Sequence, residues 1–231
     1  MCAPSPIFGL IRLGRKLLKA NLIVKFRVMK AVVFDMYGVL YRHAAPEVMH
    51  WIIGQSGAYI QGVSAQQFLT AWAHDRHSID AGLVSLEDYW AQMNELCNVD
   101  FDWKTFIDLE AKYFGSTDHE MLDFAREIKA RGYRIGILSN IPEYMNRAVY
   151  DHLEWFSEFD VVIRSCEHGL AKPDLEIYQL TAQQLGIEPQ NILFLDDNEA
   201  NITGAKKAGM IAHLHHDLEE TRRIVDDFLA D

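Results

Sequence analysis

Acid is missing from the first 34 residues of this 231-residue chain, which carry Arg12, Arg15, Lys16, Lys19, Lys25, Arg27 and Lys30 instead. The chain as a whole has a net charge of -11, so the remainder is strongly acidic. That excludes nucleic acid as a partner of the body of the protein, because phosphate backbones need a basic footprint. Also missing is any run approaching the roughly 18 to 20 apolar residues that cross a bilayer, and residues 29–231 are expected to meet no membrane. Cysteine is scarce: Cys2, Cys97 and Cys166 are odd in number, far apart and without metal-ligand spacing. They read as reduced thiols in a cytoplasmic protein.

What remains is enough for a core, with 49% hydrophobic and 24% charged residues. The length suits one sizeable domain with a smaller insertion. Residues 1–28 form a basic extension that reads as a mis-assigned start, since Met29-Lys30 directly precedes the first strand. A basic amphipathic helix with Leu10, Leu13, Leu17 and Leu18 on one side, or a targeting segment, is the alternative. Charges interrupt every apolar core that a secretory signal would need.

The stretch Ala31 to Leu40 is an apolar, β-branched run that stops at Asp35 and then reaches Gly38. A continuous run of this kind predicts a parallel strand covered on both faces, and such sheets bind ligands at their strand C-termini. From Tyr41 to about Thr117 no strand pattern recurs. Helices are predicted over 46–54, 65–80, 85–97 and 103–113, with Ser85 placed to cap the third. Trp51, Trp72 and Trp90 read as the core of this bundle.

After Asp118 helices and strands alternate. Strands are predicted over 133–138, 160–164, 191–195 and 210–214, and helices over 120–131, 142–156, 175–185, 199–208 and 218–229. Alternation of this kind implies βαβ units, an α/β fold with a doubly wound parallel sheet, and an inserted helical bundle. The expected division is a core of 29–43 and 117–231 with a helical cap of 44–116.

Three strands end in polar residues: Asp35, Ser139-Asn140 and Asp196-Asp197. In a parallel sheet all three ends share one edge. Carboxylates gathered there repel, by about 4 kcal/mol for two charges about 4 Å apart at an effective dielectric of about 20. A hard dication relieves that repulsion, and oxygen-only ligands in a cleft suit Mg²⁺. Lys172, just before Pro173 and a helix start, can direct its ammonium back at the cleft as a point charge for phosphate. His213, His215 and His216 are split across strand faces and read as a solvated strand end. His74, Asp75, Arg76 and His77 either face the cleft or form a solvated helix face.

Asp35 with Gly38-Val39-Leu40, Leu138-Ser139-Asn140, Lys172-Pro173, and Phe194-Leu-Asp-Asp197 with Asn201 and Gly209-Met210 resemble the four ordered motifs of the haloacid dehalogenase superfamily. The resemblance spans residues 31 to 214, and the helical insert is similar to that superfamily's C1 cap. It implies an Mg²⁺-dependent hydrolase of a small phosphorylated metabolite, with Asp35 as the nucleophile that becomes an aspartyl-phosphate. It further implies Mg²⁺ ligation by Asp35, the carbonyl of Tyr37 and Asp197, with Asp196 direct or through water, and a phosphoryl group held by Ser139, Asn140 and Lys172.

Tyr37 departs from that pattern, since most phosphatases of the superfamily have a second aspartate there as general acid and base. A phenol can donate a proton but is a poor base at neutral pH, and losing such a group typically costs about 10² to 10⁴ in rate. Tyrosine at this place resembles the 2-haloacid dehalogenases, the alternative reading, in which Asp35 attacks a carbon bearing halide. Those enzymes use an arginine just after the first motif; here Arg42 is the nearby candidate and comes too early. Two acids at 196 and 197 favour the metal-dependent phosphatase. The second alternative is an interaction protein that keeps the fold with little turnover.

Overall fold

The computed structural model describes residues 29–230; the basic segment 1–28 lies outside the described residues. Strand β1 (Ala31–Phe34) is buried along its whole length. Two short strands, β2 (Tyr41–His43) and β3 (Gly115–Thr117), pair antiparallel where the chain leaves for the helical insert and returns from it. They interrupt the region expected to hold no strand, and their brevity hid them from periodicity. Gly115 is required at this crossing, because a Cβ there would lie 2.1 Å from the Arg42 carbonyl oxygen.

Strands β4 (Arg134–Ser139), β5 (Val161–Arg164), β6 (Ile192–Asp196) and β7 (Ile211–Leu214) join β1 in one parallel sheet of order β5-β4-β1-β6-β7. The predicted doubly wound α/β sheet is therefore present. The two-residue period of β1 explains why it must be apolar throughout. Val32 and Phe34 pack on one face, with α6 (His119–Ala130) and α10 (Leu218–Ala230). Ala31 and Val33 pack on the other, with α8 (Leu175–Leu185) and α9 (Glu199–Lys207).

The insert comprises α1 (Pro46–Gln55), α2 (Ala65–Trp72), α3 (Arg76–Asp80), α4 (Leu86–Cys97) and α5 (Trp103–Tyr113). Its own apolar centre is built on Phe68, Trp90, Phe101 and Phe106. Ser85 caps α4 as expected, its hydroxyl oxygen accepting from the Asp88 amide at 3.0 Å. Trp90 is buried in this centre, but Trp51 is 46% exposed and sits edge-on to Tyr113.

Two predicted helices are broken. The one expected over 65–80 stops at Trp72 and resumes at Arg76, with the Asp75 carboxylate taken by the Ser78 hydroxyl at 2.6 Å. Local bonds of this kind compete with the helical ladder. The one expected over 142–156 is α7 (Glu143–Ala148) followed by two 3₁₀ turns. There tertiary packing overrides local pattern: Tyr150 is turned inward, and its hydroxyl lies 2.9 Å from Ser139 Oγ.

Candidate functional site

Register decides where the chemistry gathers. Phe34 is paired with Ile137 on one side and Leu195 on the other, so Asp35, Ser139 and Asp196 emerge at the same edge of the sheet. One carboxylate oxygen from each of Asp35, Asp196 and Asp197 lies within 4.8 Å of the others. No other such cluster occurs among the described residues, and His213, His215 and His216 are not brought together as ligands.

Lys172 stands between two of these acids, its Nζ 2.6 Å from Asp35 and 2.7 Å from Asp196. Burial alone would lower its pKa, but the two carboxylates outweigh burial and raise it. Burial pushes the Asp35 carboxyl well above the usual carboxylate range; Asp196 adds to this, and Lys172 and the Met36 amide oppose it. Asp196 is fully enclosed and its oxygens are occupied by Lys172, the Asn201 side-chain amide and the Asn198 N–H. Asp197 remains half-exposed; burial acts to raise its pKa, but His43 at 3.7 Å and Lys172 hold it below its ordinary value.

A cavity of about 670 Å³ opens over this edge, lined by Asp35, Tyr37, Asn140, Lys172 and Asp197 from the expected set. Ser139 and Asp196 lie behind it. Ser139, expected to hold a phosphoryl group, turns its hydroxyl to Tyr150. Asn140 lines the cavity, but its side-chain amide donates to the Lys172 carbonyl at 2.9 Å and accepts from the Lys172 N–H at 2.8 Å. It fixes the backbone that carries the ammonium, a link across 32 residues that no local motif announces.

Tyr37 sits among aromatic rings, with Phe114 at 4.9 Å, Tyr41 at 5.3 Å and the imidazole of His43 stacked at 5.9 Å. Burial pushes its phenol well above the ordinary tyrosine range, and its hydroxyl makes no hydrogen bond of ordinary geometry. It is thus poorer still as a base than its residue type implies. The turn that follows uses the carbonyls of Met36 and Tyr41 as acceptors, leaving that of Tyr37 outside those bonds.

Gly38 is where the turn meets the acids. Its φ is +83°, and a Cβ there would lie 2.1 Å from Asp197 Oδ2. Gly38→Ala is expected to displace Asp197 and to weaken divalent-cation binding, read by calorimetry, with about a 10²-fold loss of turnover from a misplacement of about 1 Å. Unchanged cation affinity would show that Asp197 has no part in holding one.

The insert supplies the opposite wall through Arg76, His77 and Asp80. Of the cap residues considered from sequence, Arg76 and His77 reach the cavity; Asp80 was not singled out, although its i,i+4 spacing from Arg76 was a signal. Arg42 does not reach it and pairs instead with Asp118 and Glu120. Polar bonds tie the insert down: the Ser165 hydroxyl donates to the Asp80 carbonyl, His77 Nε2 lies 2.6 Å from Asp174, and the Tyr144 hydroxyl donates to Glu110 at 2.7 Å. Burial pushes Glu110 up to about 7, against the pull of Arg76 and Tyr144.

Comparison with known proteins shows the family of the chain and its fold. Residues 29–209 match the family model described as haloacid dehalogenase-like hydrolase. The chain is 26% identical over 206 residues to a sesquiterpene phosphatase of Aspergillus oryzae, covering 85% of this chain and 96% of that protein. It is also 26% identical over 192 residues to an (S)-2-haloacid dehalogenase of Pseudomonas sp. strain YL, covering 78% and 79%. It spans 18% of the length of a Mus musculus acyl-CoA dehydrogenase family member 10 that it matches at 25% identity. Among solved structures, a HAD family enzyme of Bacteroides thetaiotaomicron in complex with magnesium and inorganic phosphate superposes with a TM-score of 0.65 at 18% identity, covering 84% of this chain and 98% of that one.

Proposed function

Because the chain belongs to the haloacid dehalogenase-like hydrolases, we propose that it is an Mg²⁺-dependent phosphomonoesterase in which Asp35 is the nucleophile and residues 44–116 form the cap. The observation that carries this reading is the trio of Asp35, Asp196 and Asp197 around a single buried lysine. One ammonium cannot neutralise three carboxylates, and the oxygen-only donor set suits a hard cation. Asp35, Asp197 and the free carbonyl of Tyr37 would hold Mg²⁺, with Asp196 behind them orienting Lys172. The ion would supply charge neutralisation to the transferring phosphoryl group.

The protein's own groups account for the rest. An Asp35 oxygen attacks phosphorus, the ester bond breaks and the alcohol leaves with a proton taken from water in the cavity, so that an aspartyl-phosphate forms; a water molecule then attacks phosphorus, returns its proton to solvent, and releases phosphate and the free carboxylate. Lys172 holds the attacking oxygen in place and offsets the charge that gathers on the phosphoryl oxygens. The insert closes the cavity from above and keeps bulk water from the intermediate until the alcohol departs. Relatives named as phosphatases, and a fold neighbour holding magnesium and phosphate, support the reading.

The experiment is phosphate release from phosphate esters, and halide release from 2-chloropropionate, each with Mg²⁺ or EDTA. Phosphate release should require Mg²⁺, vanish in EDTA and return when Mg²⁺ is restored in excess. Metal-independent halide release would overturn the proposal in favour of a dehalogenase, a reading to which Tyr37 and the placement of Arg76 in the cavity lend support. Inertness to both would favour an interaction protein.

A further inference from the structure

The wall of the cavity contributed by α3 has a chemistry of its own. Arg76 and Asp80, one helical turn apart, pair at 2.6 Å and both face the cavity. The guanidinium carbon lies 4.3 Å from the centre of the Trp72 ring, and its Nη1 is buried and makes no hydrogen bond of ordinary geometry, with Tyr89, Tyr144 and Glu110 as its polar surroundings besides Asp80. The Asp80 carbonyl is anchored to Ser165, and His77 to Asp174 in the segment that carries Lys172. The pair is therefore held in a fixed relation to the reacting edge.

Three features of this wall restrict what can leave from the phosphorus. Aliphatic packing surface is nearly absent from the lining, where Pro173 and Ala200 are the aliphatic members. A long hydrocarbon leaving group would therefore find little aliphatic surface, its apolar contacts being left to rings such as Tyr37. A leaving group with its own negative charge would meet Asp80 beside Arg76, and also Glu199, so its gain from the cation is offset by like-charge repulsion. A hydroxyl donates and accepts at once, and a guanidinium–carboxylate pair offers both complements side by side.

We propose that Arg76 and Asp80 are specificity-determining residues that read the hydroxyls of an uncharged polyol, so that the substrate is a sugar or polyol phosphate. This rests on the phosphomonoesterase reading above. A site built to pair hydroxyls rejects analogues that lack them, because its buried polar groups are then left without partners.

The test compares glucose 6-phosphate, phosphoglycolate and 4-nitrophenyl phosphate on the wild type, Asp80→Asn and Arg76→Gln, with Mg²⁺ present. Wild type should favour glucose 6-phosphate. Each substitution should lower kcat/KM for it by about 10- to 100-fold, mostly through KM, and change 4-nitrophenyl phosphate by no more than about 3-fold. Equal losses on both substrates, or a wild-type preference for phosphoglycolate or 4-nitrophenyl phosphate, would overturn the inference while leaving a phosphatase. If the wild type releases phosphate from none of them, the phosphatase reading fails. Calorimetry then decides the inference by itself: Asp35→Asn should bind glucose 6-phosphate more tightly than phosphoglycolate, and the added Asp80→Asn should remove that preference. Equal affinity for the two ligands would sink it.

Discussion

Replacing Asp35 by asparagine is expected to lower phosphate release by about 10⁴-fold or more if Asp35 is the nucleophile, because a neutral amide oxygen is none and the two-step route through an acyl-phosphate is lost. The same substitution is expected to raise the melting temperature of the metal-free protein. The folded-state pKa of Asp35 lies well above its unfolded value, with burial as the first cause and Asp196 as the second. A carboxyl shifted in that direction favours folding while protonated, and its contribution is lost as pH rises from the unfolded pKa through the folded one. At neutral pH the ionised group is therefore a burden on the fold, and the neutral amide removes it. Activity and stability should move in opposite directions, as at sites where function holds a charge in place against burial. Assays of turnover and thermal scans in EDTA read the two arms. A fall in melting temperature would mean that the 2.6 Å pair with Lys172 outweighs desolvation.

The second large effect is expected at Lys172. Its side chain is 1% exposed and is the cation shared by Asp35 and Asp196. Lys172→Met keeps the volume and removes the charge, leaving two carboxylates facing one another in the interior. Breaking a buried pair by removing one partner costs about 3 to 5 kcal/mol, far more than a surface bridge contributes. Turnover should fall by about 10³-fold as the positioning of Asp35 and the charge on the phosphoryl side are lost together. The stability deficit should have a definite pH dependence. Without the ammonium the Asp35 carboxyl, already pushed up by burial, loses the charge that opposes that shift, so the variant is weakest near neutrality and recovers as the solution is acidified towards the ordinary carboxylate range. Urea unfolding at several pH values reads this directly; a deficit independent of pH would show that packing, not charge, is what Lys172 provides. Lys172→Arg is not expected to restore function, since a planar fork replaces a point charge in a site sized for one nitrogen.

Much of this arrangement was legible because strand ends declare themselves. An apolar run that stops at an acid, repeated at Asp35 and Asp196, places both at one edge once the sheet is parallel, and the observed register bears this out. The local capping of α4 by Ser85 was likewise readable, since donor and acceptor are three residues apart. What escaped has a common physical character. Asn140 gripping the Lys172 backbone, Tyr150 taking the Ser139 hydroxyl and Tyr144 meeting Glu110 all join residues on different elements, so they depend on packing rather than pattern. The break before Arg76 bears directly on the cavity: an unbroken helix over 65–80 would not set Arg76 and Asp80 on a short separate helix that lines the same cavity as the acids. Asp75 bonding to Ser78 is the local cause, and neither residue departs from ordinary helix composition enough to have announced it.

The antiparallel ribbon of β2 and β3 brings the exit and re-entry of the helical excursion side by side, with Tyr41 opposite Thr117 and His43 opposite Gly115. To the central sheet such an excursion is topologically a single closed loop, whatever its length. Evolution could lengthen, shorten or exchange everything between these two doorposts without altering how β1 is flanked by β4 and β6. On the reading proposed above, substrate preference and phosphoryl chemistry would then be encoded in separately variable stretches of one gene.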